Sequence, residues 1–185
     1  MQDKRYIKDA IRALVQATGF GKDVLKATGR YDCVCRDKFG NILWEETIDN
    51  LVVTVGLNQL LTNGISTASY MLLISSTSFS ALAAADTMAS HAGWLEAGSA
   101  NAPTYSGTRP AVTWGTPASG AVSITAVTFT FTGSGTVEGA AITNGTGASS
   151  TIGATTGVLL SEGTFATAQP VISGNTLTVN YTLTL

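Results

Sequence analysis

The chain predicts a mainly β fold, a single sandwich or barrel of about 150 residues behind a helical N-terminal arm. Three observations carry that expectation. The segment "NTLTVNYTLTL" alternates without error: Leu177, Val179, Tyr181, Leu183 and Leu185 share one parity, and Thr178, Asn180, Thr182 and Thr184 share the other. From Tyr70 onward, short apolar runs are separated by Gly/Ser/Thr-rich stretches, and the chain holds 20 Gly. Charged residues are only 12% of the 185, and the deficit is filled by Thr, Ser, Ala and Gly, which suits exposed strand faces.

Residues 4–18 read as an amphipathic helix. Ile7, Ala10, Ile11, Leu14 and Val15 follow the i, i+3, i+4, i+7, i+8 spacing, with Lys4, Arg5, Lys8 and Arg12 on the other faces. Gly19 is placed to stop it. One apolar stripe of four turns is marginal alone in water, so it needs a surface to lie on. The arm and linker are set at 1–29 and the body at 30–185.

"RYDCVCRDKFGNILWEETI" predicts a hairpin with arms Arg30–Arg36 and Ile42–Ile48, Gly40 and Asn41 supplying positive φ in the turn. Cys33 and Cys35, two apart on a strand, point the same way, and a bridge between them would be strained, so both read as buried small hydrophobes. A buried helix is expected over 51–62, capped by Asp49 or Asn50 and stopped at Asn63-Gly64. "SYMLLISS" reads as a buried strand. "TSFSALAAADTMASHAGW" reads as a small-residue loop with one helical turn. Near Ala126 the inward parity slips, from Val122 and Ile124 to Val127, Phe129 and Phe131, which predicts a bulge or a break. "GTVEGAAITNG" is a strand, "GTGASSTIGATTG" a loop, and "VLLSEGTFATAQPVIS" several short strands. The last strand should be central, because one whole face is apolar.

The charge is uneven. Residues 1–38 hold nine bases and five acids, a net +4. The remaining 147 residues hold one base, Arg109, and seven acids, a net −6. A basic arm on an acidic body points to an acidic partner for the arm. The body lacks bases interleaved with aromatics, so nucleic acid is not an expected partner. A membrane is not expected either: no run reaches about 18 apolar residues, and the arm's stripe lacks Trp and Phe. The opening stretch lacks a signal peptide's apolar core, so the expectation is a protein made and kept in a cytoplasm-like compartment.

Chemistry has few candidates. His91 is the only histidine, and Asp86 and Ser90 lie beside it in "ADTMASHAGW". A Ser–His–acid site needs the three to converge, yet Ser90 and His91 are sequence neighbours and no G-x-S-x-G elbow is present. The expected role is structural: Asp86 caps a turn, Gly93 permits tight backbone and Trp94 enters the core. Two Cys and one His fall short of a zinc set. The other carboxylates are adjacent or scattered singly, and no phosphate loop or dinucleotide fingerprint occurs. No catalytic residue, cofactor or metal is expected. Trp94, Tyr105 and Trp114, in the loop-rich middle, are the side chains a sugar-binding module would stack on glycan rings.

The segments "WEETIDNLVVTVGLNQLL", "YMLLI", "ADTMASHAGWLE", "TRPA", "GTVEGAAI", "LLSEGTFA" and "GNTLTVNYTLTL" together resemble a family of small virion proteins of tailed bacteriophages. Some of these are similar to the capsid cement or decoration proteins of short-tailed phages. The resemblance covers about residues 30–185. It implies a jelly-roll-like β-sandwich, no enzymatic site, the major capsid protein as partner and a place on the capsid surface after assembly in the host cytoplasm. A homodimer or homotrimer is expected. The arm lies outside the resemblance. Its physics makes Lys4, Ile7, Lys8, Ile11, Arg12, Leu14 and Val15 the candidate capsid or subunit interface, helix in groove. The alternative is a receptor- or carbohydrate-binding module of a tail or head fibre.

Overall fold

The computed structural model describes residues 28–56, 64–65, 68–116 and 121–184. The predicted arm helix, the linker, most of the predicted 51–62 helix and Leu185 lie outside the described residues. The body is a β-sandwich of nine strands: β1 (Thr28–Arg36), β2 (Ile42–Asp49), β3 (Ser69–Ser75), β4 (Leu95–Glu96), β5 (Ala121–Ser123), β6 (Val127–Thr130), β7 (Gly135–Asn144), β8 (Val158–Val171) and β9 (Thr176–Thr184). One sheet runs β2-β1-β9-β5 with β6 also on β9; the other runs β4-β3-β7-β8. All the pairings are antiparallel. The chain changes sheet after β2, β4, β6 and β8. Each layer is therefore completed by strands distant in sequence.

β9 is the spine of the first sheet, paired along its length with β1 on one side and with β5 and β6 on the other. Its alternation does what the sequence predicts: Leu177, Val179, Tyr181 and Leu183 are buried. The parity slip resolves as a break. β5 ends at Ser123 and β6 starts at Val127, so Val122 and Ile124, then Val127, Phe129 and Phe131, all face the core, while Thr125 and Ala126 turn out. On β1, Tyr31, Cys33 and Cys35 point inward. Both thiols are free. Burial pushes Cys33 up to about 12, helped by the Asp32 and Glu46 charges, and Cys35 to about 11.

Several boundaries differ from expectation, for physical reasons. β1 begins at Thr28, two residues early, because Thr28 and Gly29 still pair with Thr184 and Leu183. In the β1–β2 turn, Gly40 alone has positive φ. Asn41 instead donates its backbone N–H and its Nδ2 to the two Asp37 oxygens, both at 2.9 Å, which lowers the Asp37 pKa. Leu51 is not helical. It exchanges two backbone hydrogen bonds with Glu162, and helical geometry begins at Thr54, after Val52 and Val53, which favour extended backbone. β8 is one strand of 14 residues rather than several short ones, its pairing with β7 interrupted by two register shifts. Residues 76–94 form turns without the expected helical turn.

The second sheet is buried on both faces. Its inner face joins the main core, with Met71, Leu73, Ala140, Ile142 and Leu160. Its outer face carries a second cluster of Leu72, Ile74, Ala141 and Leu159 with Val53, Met88 and Trp94. Met88 and Trp94 come from the 76–94 loop, which is thus a third layer. This accounts for the unbroken apolar run "MLLI", since a strand buried on both faces shows no alternation.

Candidate functional site

The loop holding Asp86, Ser90 and His91 is anchored by Trp94, which is 1% exposed. Gly93 lets it lie flat, for a Cβ there would collide with the Ala81 carbonyl oxygen. The His91 ring stacks on the Trp94 ring at 3.8 Å between centroids, 18° from parallel. Its Nδ1–H donates to the Trp94 carbonyl oxygen at 3.0 Å, which fixes the tautomer. Ser90 is held in a turn by Thr87: the two exchange backbone hydrogen bonds, and the Ser90 N–H also donates to Thr87 Oγ1. Asp86 Oδ2 accepts from the Ala83 N–H at 3.1 Å, inside its own loop. The three residues are thus engaged separately, each in holding the loop.

Asp86 does meet another acid, one the sequence left isolated. Glu162 faces the outer side of β8, in register with Ala141, which is itself in register with Leu72. It is fully buried, and its Oε2 accepts from Trp94 Nε1 at 2.9 Å. Its Oε1 is buried without a hydrogen-bond partner. Burial first, then the nearby Asp86 charge, push the Glu162 carboxyl up to about 8. Two acids and an indole beneath a loop could pass for a general-acid site, but the Glu162 side chain is fully buried and bonded to the buried Trp94 indole. Its position reads as a lock on the cover loop.

Arg109, the only base after Lys38, is buried too. It clasps Glu96 through Nε to Oε1 at 2.7 Å and Nη2 to Oε2 at 2.6 Å. It also donates to the carbonyls of Ser149 and Ala154, and Glu96 accepts from the Gly153 N–H. This planar, bidentate set ties β4 to the 145–157 loop. Beside it lies a recess of about 190 Å³ lined by His91, Glu96, Asn101 and residues 152–155. Its charged groups already serve the scaffold.

The aromatic trio is occluded. Trp94 and Tyr105 are buried, and half-buried Trp114 packs edge-on against Tyr181 with its Nε1 donating to Ser69 Oγ. None of them offers a flat exposed ring for a sugar. Among the described residues, no three His, Cys, Asp or Glu side chains gather as metal ligands, and no helix is long and apolar enough to cross a membrane.

What remains open is the outer face of the first sheet. Outward residues of β9, β6 and β5 form a hydroxyl-rich plane, with Thr128 bonded to Thr178 at 3.0 Å and Ser123 to Thr182 at 2.8 Å. The β1–β2 hairpin continues the plane with Asp32, Val34, Leu43, Glu45, Thr47 and Asp49. Arg30 pairs with Asp32 at 3.0 Å, and Thr47 donates to Asp32 at 3.0 Å. At the end where the chain enters β1, Thr28, Arg30, Asp49, Thr182 and Thr184 line a shallow cavity of about 300 Å³. The candidate interface residues Lys4, Ile7, Lys8, Ile11, Arg12, Leu14 and Val15 lie outside the described residues. The sequence signal for the open face was present in β9, whose second parity is all Thr and Asn. Comparison of the chain with protein-family models, with curated protein sequences and with solved structures finds no match.

Proposed function

We propose that the chain is a non-enzymatic structural protein of a tailed-phage virion, a capsid cement or decoration protein that binds and stabilises the lattice of the major capsid protein. The family assignment rests on the sequence resemblance over residues 30–185. The observation that carries the mechanism is the contrast between the two faces of the sandwich. The outer face of the β3 sheet is sealed by the chain's own loop, which engages Asp86, Ser90 and His91. The outer face of the β9 sheet is rich in hydroxyls along β9, β6 and β5, with its outward residues exposed or half-buried.

On this reading the plane meets the capsid, and the basic arm clamps the capsid protein or a neighbouring copy. Delivery in a repeated lattice lets each contact be weak, because avidity multiplies them. The test is reconstitution: purified protein is added to capsids lacking it, and occupancy and capsid heat resistance are measured. Stoichiometric binding that raises the capsid's melting temperature supports the reading. Absence of binding, or binding without stabilisation, contradicts it.

A further inference from the structure

The cover loop, residues 76–94, lies over the outer face of the second sheet, yet only three of its residues, Asp86, Met88 and Trp94, are buried. Its ends are pinned: the Ser76 N–H donates to the Thr136 carbonyl oxygen at 3.1 Å, and β4, just past Trp94, pairs with β3. Between the ends it is held by those three side chains, by half-buried Phe79 and Leu82, and by a hydrogen bond from the Thr54 N–H to the Ala84 carbonyl oxygen. Two of the three buried side chains meet the same group. Trp94 Nε1 donates to Glu162 Oε2 at 2.9 Å, and the Asp86 and Glu162 carboxyls lie within hydrogen-bonding reach of each other.

Charge makes that meeting conditional. The Glu162 backbone is spent on Leu51, with which it exchanges two hydrogen bonds, and Asp86 Oδ2 accepts from the Ala83 N–H. Glu162 Oε1 is buried without a hydrogen-bond partner. Two carboxylates facing each other are two acceptors with no hydrogen between them; one proton turns the contact into an O–H···O bond and removes the repulsion. The surroundings supply little counter-charge. β3 and β7 present Leu72, Ile74 and Ala141, and residues 51–56 hold no ionisable side chain. The other titratable neighbours are Tyr31 on β1, a weak acid held protonated well above 10, and His91 on the loop, whose ring stacks on Trp94. Among the described residues, no base forms an ion pair with Asp86 or Glu162.

We propose that the cover loop is pH-gated: one proton shared by Asp86 and Glu162 latches it, and loss of that proton to solvent lets it lift from the Leu72, Ile74, Ala141 and Leu159 face. An ionised Glu162 accepts a stronger bond from Trp94. Burial and the Asp86 charge outweigh that gain and hold the carboxyl at about 8 while the loop is closed. With the loop lifted, the carboxyl meets water and titrates near its ordinary 4.5. The closed form therefore binds the proton more tightly, so lifting becomes easier as pH rises from 4.5 to about 8 and levels off above. The gate goes beyond the proposed function and does not rest on it.

Site-resolved amide hydrogen exchange on the free full-length protein tests it. Protection factors, which correct for the intrinsic pH dependence of exchange, are compared at pH 5 and pH 8.5. The hydrogen-bonded amides of Thr54, Ser80 and Asp86 should be less protected than those of β9 at both, which marks lifting short of global unfolding. Their protection should fall about tenfold from pH 5 to pH 8.5, and Glu162→Gln should abolish that fall. Asp86→Asn, which removes the repelling charge, should shrink it, and is the second variant if Glu162→Gln misfolds. Infrared spectra at pH 7 should show the carbonyl band of a protonated carboxylic acid, absent from Glu162→Gln. Loop protection that does not change with pH overturns the proposal, as does a fall that survives both substitutions. So does equal protection of the loop and β9 amides, or the lack of a protonated-acid band at pH 7.

Discussion

Replacing Glu162 by Gln should stabilise the protein at alkaline pH and leave it little changed at pH 4–5. Glu162 is fully buried beneath Trp94, with Asp86 beside it, and its carboxyl is raised from 4.5 to about 8. The raised value fixes the sign. Below pH 4.5 the carboxyl is neutral both folded and unfolded, and its contribution is intact. As pH rises from 4.5 to about 8 the unfolded chain ionises while the fold retains the proton, so stability falls through that window and levels off above it. At 1.36 kcal/mol per unit, the part of the shift passed by pH 7 would cost about 3 kcal/mol, and water entry and local relaxation reduce this to roughly 1–2 kcal/mol. The amide keeps the acceptor for Trp94 Nε1, carries no charge, and turns a donor toward Asp86. Urea unfolding followed by tryptophan fluorescence at pH 5, 7 and 8.5 measures the difference. Wild-type stability should decline across the series, and Glu162→Gln should remove the part of that decline due to this carboxyl, gaining about 1–2 kcal/mol at pH 8.5. A variant less stable than wild type at pH 8.5, or one with an unchanged pH slope, would refute the buried-acid account.

Three further outcomes follow from the packing. Gly93→Ala drives a methyl into the Ala81 carbonyl oxygen and should cost about 2–4 kcal/mol, seen as a fall of roughly 5–10 °C in Tm; an unchanged Tm would mean the loop is not pinned there. Arg109→Ala takes the buried guanidinium from half-buried Glu96 and from the Ser149 and Ala154 carbonyls, and should cost about 2–4 kcal/mol with new proteolysis in the 145–157 loop; a stable, protease-resistant variant contradicts the clasp. Cys33 and Cys35, raised to about 12 and about 11, should resist a thiol reagent at pH 8 in the native protein and react at once in denaturant; fast native labelling of either would contradict the β1 burial pattern.

How far the sequence carried the fold depended on whether a strand had one buried face or two. β9 alternates cleanly, so its register and central place were legible, and the slip at Ala126 marked the β5–β6 break. β3 and β7 are covered on both sides and show no period, so the sequence told of burial but not of the loop that causes it. The link from Asp86 and Trp94 to Glu162 was hidden because it joins residues 68 or more positions apart, across a layer with no local signature. The same holds for Arg109, whose partners Glu96 and Ala154 lie 13 and 45 residues away, though a single base in the 147 residues after Lys38 was a usable hint. Asn41 misled because its side chain, rather than its φ, closes the turn on Asp37. Val52 and Val53 outweighed the helical spacing at Leu51, a local β preference reinforced by the bridge to Glu162.

The central claim is that this chain is a multi-copy component of a phage head. Quantitative mass spectrometry of purified particles that carry it, with immunogold labelling of the same particles, tests that claim most directly. The account predicts label spread over the head and a copy number in constant proportion to the major capsid protein. Label confined to the tail at a handful of copies, or no label on intact particles, would contradict it.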